Sequence, residues 1–186
     1  MFTCPAVLPG RKDSSKASCC WRKKSPNGAV SGNSEMLSDE IKKALFPLNL
    51  EKVEPGDYRK TGYHLEVAAR PEQMPEVAQA MLALGCFLES LTALHFREHF
   101  TLVYHFNHYD QLCRTVVHAV LPPGQQAPTI SHIYPVANWY EREVYDLFGL
   151  RFAGHPDLRR ILLPFDAEIH PLLKKFEEIA PESEGK

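Results

Sequence analysis

No run of about eighteen apolar residues occurs anywhere in the 186-residue chain, so no segment is built to cross a bilayer as a helix. Any membrane association therefore comes through a partner. Cysteine is sparse and badly spaced for a metal: Cys19 and Cys20 are adjacent, Cys4 stands apart, Cys86 and Cys113 lie far apart in what read as buried elements, and no C-x-x-C pair exists. That argues against zinc or an iron–sulfur cluster held by this chain alone, and with no secretory signal it favours a reduced, cytosolic setting. A glycine-rich loop opening a helix is also missing, which removes the usual phosphate cradle. The formal net charge is only -2, so the chain has no overall basic character for seeking nucleic acid. What is present is ordinary globular material, with 44% hydrophobic, 10% aromatic and 24% charged residues. One domain with tails is the expectation for this length.

The charge is unevenly distributed. Residues 1–35 hold Arg11, Lys12, Lys16, Arg22, Lys23 and Lys24 against Asp13 and Glu35, with three of the five cysteines and no apolar periodicity. They read as a disordered basic leader, either a transit-like segment or an over-long start, since Met36 opens the first well-patterned stretch.

Beyond it, Ser38 precedes Ile41, Leu45 and Phe46, which predicts a helix over about 38–46, capped by Ser38 and stopped by Pro47. Pro55-Gly56-Asp57 reads as a turn between strands near 50–54 and 61–68, the second alternating Tyr63, Leu65 and Val67 with polar positions. Pro71 opens a second helix, with Met74, Val77, Ala78, Met81 and Leu82 on its inner side until Gly85. Three strands follow, over 87–96, 100–108 and 114–121, with Arg97-Glu98-His99 as one connection. This order predicts an α+β domain over 36–128: two layers, a mostly antiparallel or mixed sheet of about five strands, and two helices on one face. A third helix then runs from about Val136 to Phe148 within residues 129–150. The remainder, 151–186, is rich in proline and carries Ile161, Leu162, Leu163, Phe165, Ile169, Leu172, Leu173 and Phe176. A tail that apolar reads as extended and buried against a partner.

On the third helix, Val136, Tyr140, Val144 and Leu147 form an apolar stripe, and Glu143 falls inside it. A carboxylate there needs a cation, for which Arg159 and Arg160 are the candidates. Glu141, Arg142 and Asp146 read as a solvated face, with Arg142 and Asp146 pairing at i and i+4. The adjacent guanidiniums of Arg159 and Arg160 follow a turn at His155-Pro156-Asp157 and suit carboxylate recognition.

The run Ala137-Asn138-Trp139-Tyr140-Glu141-Arg142-Glu143-Val144-Tyr145-Asp146-Leu147-Phe148-Gly149-Leu150, followed by Phe152 and by Gly154 through Leu162, resembles the signature of the C-type, or 30 kDa-type, subunit of respiratory complex I, the NADH:quinone oxidoreductase. Phe100-Thr101-Leu102-Val103-Tyr104-His105 resembles that family's central strand. The resemblance implies a peripheral-arm subunit of a proton-translocating complex, docked on the D-type (49 kDa-type) subunit near the quinone site, with B-type and I-type cluster subunits nearby. It implies no catalytic residue, metal or cofactor in this chain, with FMN and iron–sulfur clusters in other subunits. It also implies a peripheral place on the cytoplasmic face of the cell membrane, reached through partners. Docking is then assigned to Trp139, Glu141, Arg142, Glu143, Asp146, His155, Pro156, Asp157, Arg159, Arg160, His170 and Pro171. One departure stands out: where the family reads E-G-H-P-L-R-K-D-F-P, this chain has Glu168-Ile169-His170-Pro171-Leu172-Leu173-Lys174-Lys175-Phe176-Glu177. A relative from an energy-converting nickel–iron hydrogenase or a formate hydrogenlyase-type complex is the alternative.

Three other functions compete with this one. Zinc at His95/His99 or His105/His108 fails on strand geometry, where such spacing does not gather ligands. A hydrolase using Glu141 and Glu143 fails because residues two apart on a helix diverge. A free-standing binding module requires the tail to fold back on its own domain.

Overall fold

The computed structural model describes residues 31–174. Helix α1 (Ser31–Leu45) runs into a short 3-10 turn at Phe46–Leu48, then come β1 (Lys52–Pro55), the single turn α2 (Tyr58–Thr61), β2 (Leu65–Ala69), α3 (Met74–Ala83), β3 (Cys86–His95), β4 (Phe100–His108), β5 (Thr115–Leu121), β6 (Ala127–Pro128), α4 (Ala137–Phe148) and β7 (Phe152–Ala153).

The first helix begins seven residues before the expected Ser38 cap. Leu37, Ile41 and Leu45 recur at four and are all buried, so the inward stripe extends behind Ser38 and places that serine within the helix. Phe46, expected on the inner side, is exposed because Pro47 turns the chain into the 3-10 geometry first. Of the expected leader, residues 31–35 belong to α1 and residues 1–30 lie outside the described residues. The Pro55–Asp57 turn is longer than expected: Asp57 accepts the Arg59 N–H at 3.1 Å and caps α2, which delays the next strand to Leu65.

Five strands form one mixed sheet in the order β1-β2-β5-β4-β3. Neighbours pair antiparallel except β2 and β5, which run parallel with Val67 opposite Val117. The simplest expectation, consecutive antiparallel strands, is therefore corrected at one point. After β2 the chain crosses over through α3 to the far edge, returns along β4, and slots β5 between β4 and β2. Alternation on β2 and β5 turns Leu65, Val67, Val117 and Ala119 toward the helices. Ile41 of α1 and Met74 and Met81 of α3 close over them with no exposed surface, each contributing about 1.5–3 kcal/mol of burial.

Strand β3 breaks the period of two. Its register against β4 shifts between Leu88 and Ser90, so Leu88 and Leu91 both face the core although three apart, and Glu89 is the extra residue of a bulge. That bulge serves two contacts. The Glu89 side chain receives Arg114 Nη2 at 2.7 Å and Nε at 2.9 Å, while its backbone carbonyl accepts the Tyr140 hydroxyl at 2.9 Å. Tyr134 donates likewise to the Cys86 carbonyl at 2.9 Å. Two tyrosines from the C-terminal half thus lay α4 along β3, an edge that unpaired carbonyls would otherwise leave open.

Candidate functional site

Helix α4 is buried on more of its circumference than its apolar stripe foretells. Ala137, Val144 and Phe148 pack into the core with Tyr140 and Leu147 half-buried beside them, whereas Val136, expected in the stripe, is exposed. The buried polar residues are Glu141, Arg142 and Asp146, so the solvated-face reading of these three is wrong. Glu143 is half-buried and forms no hydrogen bond or ion pair among the described residues, so the buried pair expected of it with an arginine is absent. The physical reason lies outside the helix: the outgoing chain returns along α4 over Arg142 and Asp146, while the Thr129–Ile130 segment and the tail's His155 close over Glu141, which helical periodicity alone cannot reveal.

The tail follows α4 in the helix direction. Near its start, β7 pairs in parallel with β6, and the Thr129 N–H donates to the Ala153 carbonyl at 3.0 Å. His155 then lies over the first turn of α4. Its Nδ1 accepts the Asp157 N–H at 3.0 Å, which puts the ring proton on Nε2, 3.3 Å from the Asn138 carbonyl. One turn on, Arg142 Nε donates to the Arg159 carbonyl at 3.2 Å, and its guanidinium stacks 5.1 Å over the Trp139 ring.

Asp146 makes the densest contact. One carboxylate oxygen meets Arg160 Nη1 at 2.6 Å, and the other accepts three successive backbone N–H groups, from Ile161 at 3.1 Å, Leu162 at 2.8 Å and Leu163 at 2.9 Å. Burial works to raise the Asp146 pKa, but the three N–H donors and the guanidinium outweigh it and hold the carboxyl down at about 2. The expected Arg142–Asp146 pair gives way to this tertiary one.

Past the helix end, His170 Nδ1 lies 2.9 Å from the Asp146 carbonyl and Leu172 N–H donates to the Leu147 carbonyl at 3.1 Å. These are orphan carbonyls of the last turn, satisfied by the tail in place of solvent. Gly149 ends the helix at φ +75°, and a Cβ there would sit 2.9 Å from the His170 ring, so only glycine fits both the turn and the approach. The His170-Pro171 stretch therefore remains seated on α4 despite the altered residues around it. Lys174 N–H reaches His95 Nδ1 on β3 at 3.0 Å.

Glu141 is the other buried acid. Its carboxyl takes the Ile130 N–H at 2.8 Å and lies 2.5 Å from Thr129 Oγ1, with His155 Nε2 at 3.9 Å. Burial pushes its pKa up to about 7, against the opposing pull of the Thr129 and Ile130 hydrogen bonds. Thr129, Ile130, Ser131 and Tyr104 belong to this site and escape sequence reasoning, because nothing local links them to a helix residue ten or more positions away.

Other predicted residues stay at the surface. Asp157 and Arg159 form an exposed pair at 2.9 Å, and Pro171 is exposed. Trp139, 59% exposed, shares with Pro156, Pro135 and His132 a surface notch of about 420 Å³. Of the tail's apolar side chains, Phe152 and Leu158 pack inward and Ile161 and Leu163 are half-buried, whereas Leu162, Phe165, Ile169, Leu172 and Leu173 are exposed, Phe165 to 92%. Phe176 lies outside the described residues. The histidines that compete as zinc ligands make local contacts, His105 to Ser90 at 3.0 Å and His108 to the Asp110 N–H at 3.1 Å. Among the described residues no group of three or more His, Cys, Asp or Glu is arranged to hold a metal ion, and no helix is long and apolar enough to cross a membrane. Cys86 and Cys113 are buried free thiols.

Fold and site together define a class of α+β domain: a five-stranded mixed sheet whose last helix clasps the chain's own outgoing tail by charged residues. The chain belongs to the respiratory-chain NADH dehydrogenase 30 Kd subunit family, whose pattern it matches over residues 67–182. It is 40% identical over 119 residues to the C subunit of NADH-quinone oxidoreductase from Rhodobacter capsulatus, covering 60% of each chain. With the protein of the same description from Jannaschia sp. (strain CCS1) it shares 47% over 77 residues, 41% of this chain and 37% of that one. The chain thus spans 60% or less of the length of these curated relatives. Among solved structures, a chain of the membrane-bound sulfane sulfur reductase, an archaeal respiratory membrane complex, matches with a TM-score of 0.63 at 22% identity, over 72% of this chain and 81% of that one. That likeness concerns the fold alone.

Proposed function

We propose that this chain is the C-type subunit of a proton-translocating NADH:quinone oxidoreductase, seated on the D-type subunit near the region where quinone is reduced. It supports electron transfer as a scaffold, with FMN and iron–sulfur clusters held by other subunits, the B-type and I-type cluster subunits among them. It reaches the cytoplasmic face of the membrane only through those partners. One observation carries this reading. The tail is pinned by its backbone to α4, through Asp146, Arg142 and the His170 turn, and in that fixed path it displays Leu162, Phe165, Ile169, Leu172 and Leu173 to solvent. A row of large apolar side chains held outward on a fixed backbone is a pre-organised docking strip, since covering each is favourable in proportion to its exposed area, up to about 1.5–3 kcal/mol for a fully exposed one such as Phe165. Exposed Trp139 beside Pro156 adds an aromatic anchor of the kind that dominates interfaces. The identities of 40% and 47% to C subunits of NADH-quinone oxidoreductases support the NADH-linked reading over the hydrogenase-type one. Affinity purification of the chain from its native host, with mass spectrometry of what accompanies it, tests this. A D-type subunit together with NADH-binding subunits is expected. Recovery of the chain alone, or with a nickel–iron hydrogenase large subunit, contradicts it.

A further inference from the structure

The tail clasp leaves one buried group without a part in it, the Glu141 carboxyl, which sequence reasoning assigned to docking and which the fold seals from any partner. It has no exposed surface, and among the described residues no lysine or arginine nitrogen lies within 4 Å of it. The titratable groups that face it come from two other elements. Tyr104 on β4 is fully buried and its hydroxyl has no hydrogen-bond partner, and His155 on the tail has its ring turned toward the Asn138 carbonyl. On its own helix, Arg142 points away to the tail carbonyls. Among the described residues, therefore, no permanently charged cation stands against an ionised Glu141, and the nearest ring nitrogen is His155 Nε2 at 3.9 Å.

Two hydroxyls lead outward from this carboxyl. Glu141 Oε2 and Thr129 Oγ1 are 2.5 Å apart, and Thr129 Oγ1 and Ser131 Oγ are 2.8 Å apart. Either sense of the chain is satisfied. With the acid neutral, Glu141 donates to Thr129 and Thr129 to Ser131; with it ionised, both hydroxyls turn and donate inward. The Ile130 N–H is accepted by the other carboxyl oxygen in both cases. Ser131 is half-buried and lines the notch beside Trp139, Pro156 and Gly154, so the outer end of the relay meets solvent.

We infer that Glu141 is a proton-binding site, exchanging with solvent through the Thr129 and Ser131 hydroxyls, and that its bound proton holds the His155-Pro156-Asp157 turn down on α4. A proton arriving at Ser131 Oγ displaces that hydroxyl's own proton to Thr129, and Thr129 passes its proton to Glu141; loss runs the same steps in reverse, and no electron moves. The turn covers the carboxyl, so opening it hydrates Glu141 and returns the acid to its ordinary strength. Closed and open forms then differ by one proton over the interval between the two strengths, and rising pH favours the open form. This inference concerns the chain's own tail and stands whatever that tail docks on.

The test compares the wild-type full chain with Glu141→Gln, whose amide keeps the shape of the neutral acid. Tryptic cleavage after Arg159 and Arg160 reports opening, and the wild-type to variant ratio at each pH cancels the protease's own pH response. Between pH 6 and pH 8 that ratio is expected to rise about tenfold, as one proton taken up near pH 7 in the closed form and near pH 4.5 in the open form requires. A change of less than threefold overturns the inference. Should Glu141→Gln fail to fold, the wild type alone decides: a Glu141 carboxyl carbon-13 signal titrating above pH 5.5 supports it, and one titrating below that overturns it.

Discussion

Asp146 Oδ1 stands 2.6 Å from Arg160 Nη1, and the same carboxylate's second oxygen collects the N–H groups of the three residues that follow that arginine. A single side chain on α4 thereby sets the path of the tail, because three consecutive N–H donors converge on one oxygen only when the backbone bends around it. Replacing Asp146 with Ala leaves those three donors without their acceptor and takes the carboxylate from the Arg160 side chain, 12% exposed, which keeps only the residue-146 carbonyl at 3.3 Å. The expected loss is about 3–5 kcal/mol in denaturant-induced unfolding, against about 1 kcal/mol or less for the exposed Asp157→Ala, which loses only a surface pair.

Acid should find the same residue. Asp146 holds its pKa at about 2, below the ordinary 3.8, so its contribution is complete above the ordinary value and is lost as pH falls through the depressed one. The stability difference between wild type and Asp146→Asn, followed by thermal unfolding, should be level from pH 7 to pH 5 and shrink by about 2 kcal/mol between pH 4 and pH 2. A difference independent of pH would show that the carboxylate is not ionised in the clasp.

Glu143, the acid that helical periodicity singles out, should matter least. It is half-buried and partnerless among the described residues, so Glu143→Ala is expected to change unfolding free energy by no more than about 0.5 kcal/mol. Arg142→Ala, which removes the donors to the Arg159 and Arg160 carbonyls and the ring stack on Trp139, should cost about 1–3 kcal/mol in the same assay. Equal effects for the two would contradict the geometry.

At Gly149 backbone and packing demand the same residue. Gly149→Ala places a methyl 2.9 Å from the His170 ring at a left-handed φ of +75°, which together should cost about 1–3 kcal/mol. Hydrogen exchange separates this from global unfolding: the Leu172 amide, bonded to the Leu147 carbonyl, should lose protection while the Val117 amide in the sheet centre keeps it.

How far these features are legible in the chain differs by kind. Alternation on β2, the inner face of α3 apart from the exposed Leu82, and the Gly85 stop follow from local periods, because the forces that fix them act within a few residues. The bulge at Glu89 escapes that logic: Phe87 to Phe96 reads as one strand, and only Arg114 and Tyr140, distant in the chain, give the extra residue its role. The insertion of β5 between β2 and β4 is likewise a matter of crossover and invisible to pattern. In the site, the residue types are legible and their partners are not. Arg160 stands out in the sequence as a carboxylate's cation, yet the acid it meets is Asp146 and not Glu143, because the tail covers a side of α4 that carries few apolar residues. The 151–174 segment reads as apolar and therefore as covered; in fact Phe152 and Leu158 pack inward and the backbone does much of the attaching, while Leu162, Phe165, Ile169, Leu172 and Leu173 remain outside.

Whether this outward row of side chains meets a D-type subunit decides the proposed role. A photo-crosslinking amino acid placed at Phe165, the most exposed member, reads the contact directly in the assembled complex from the native host. The expected result is a crosslink to the D-type subunit that is lost when Asp146→Ala frees the tail. A crosslink to this chain's own domain, or a D-type crosslink unchanged by Asp146→Ala, would contradict it.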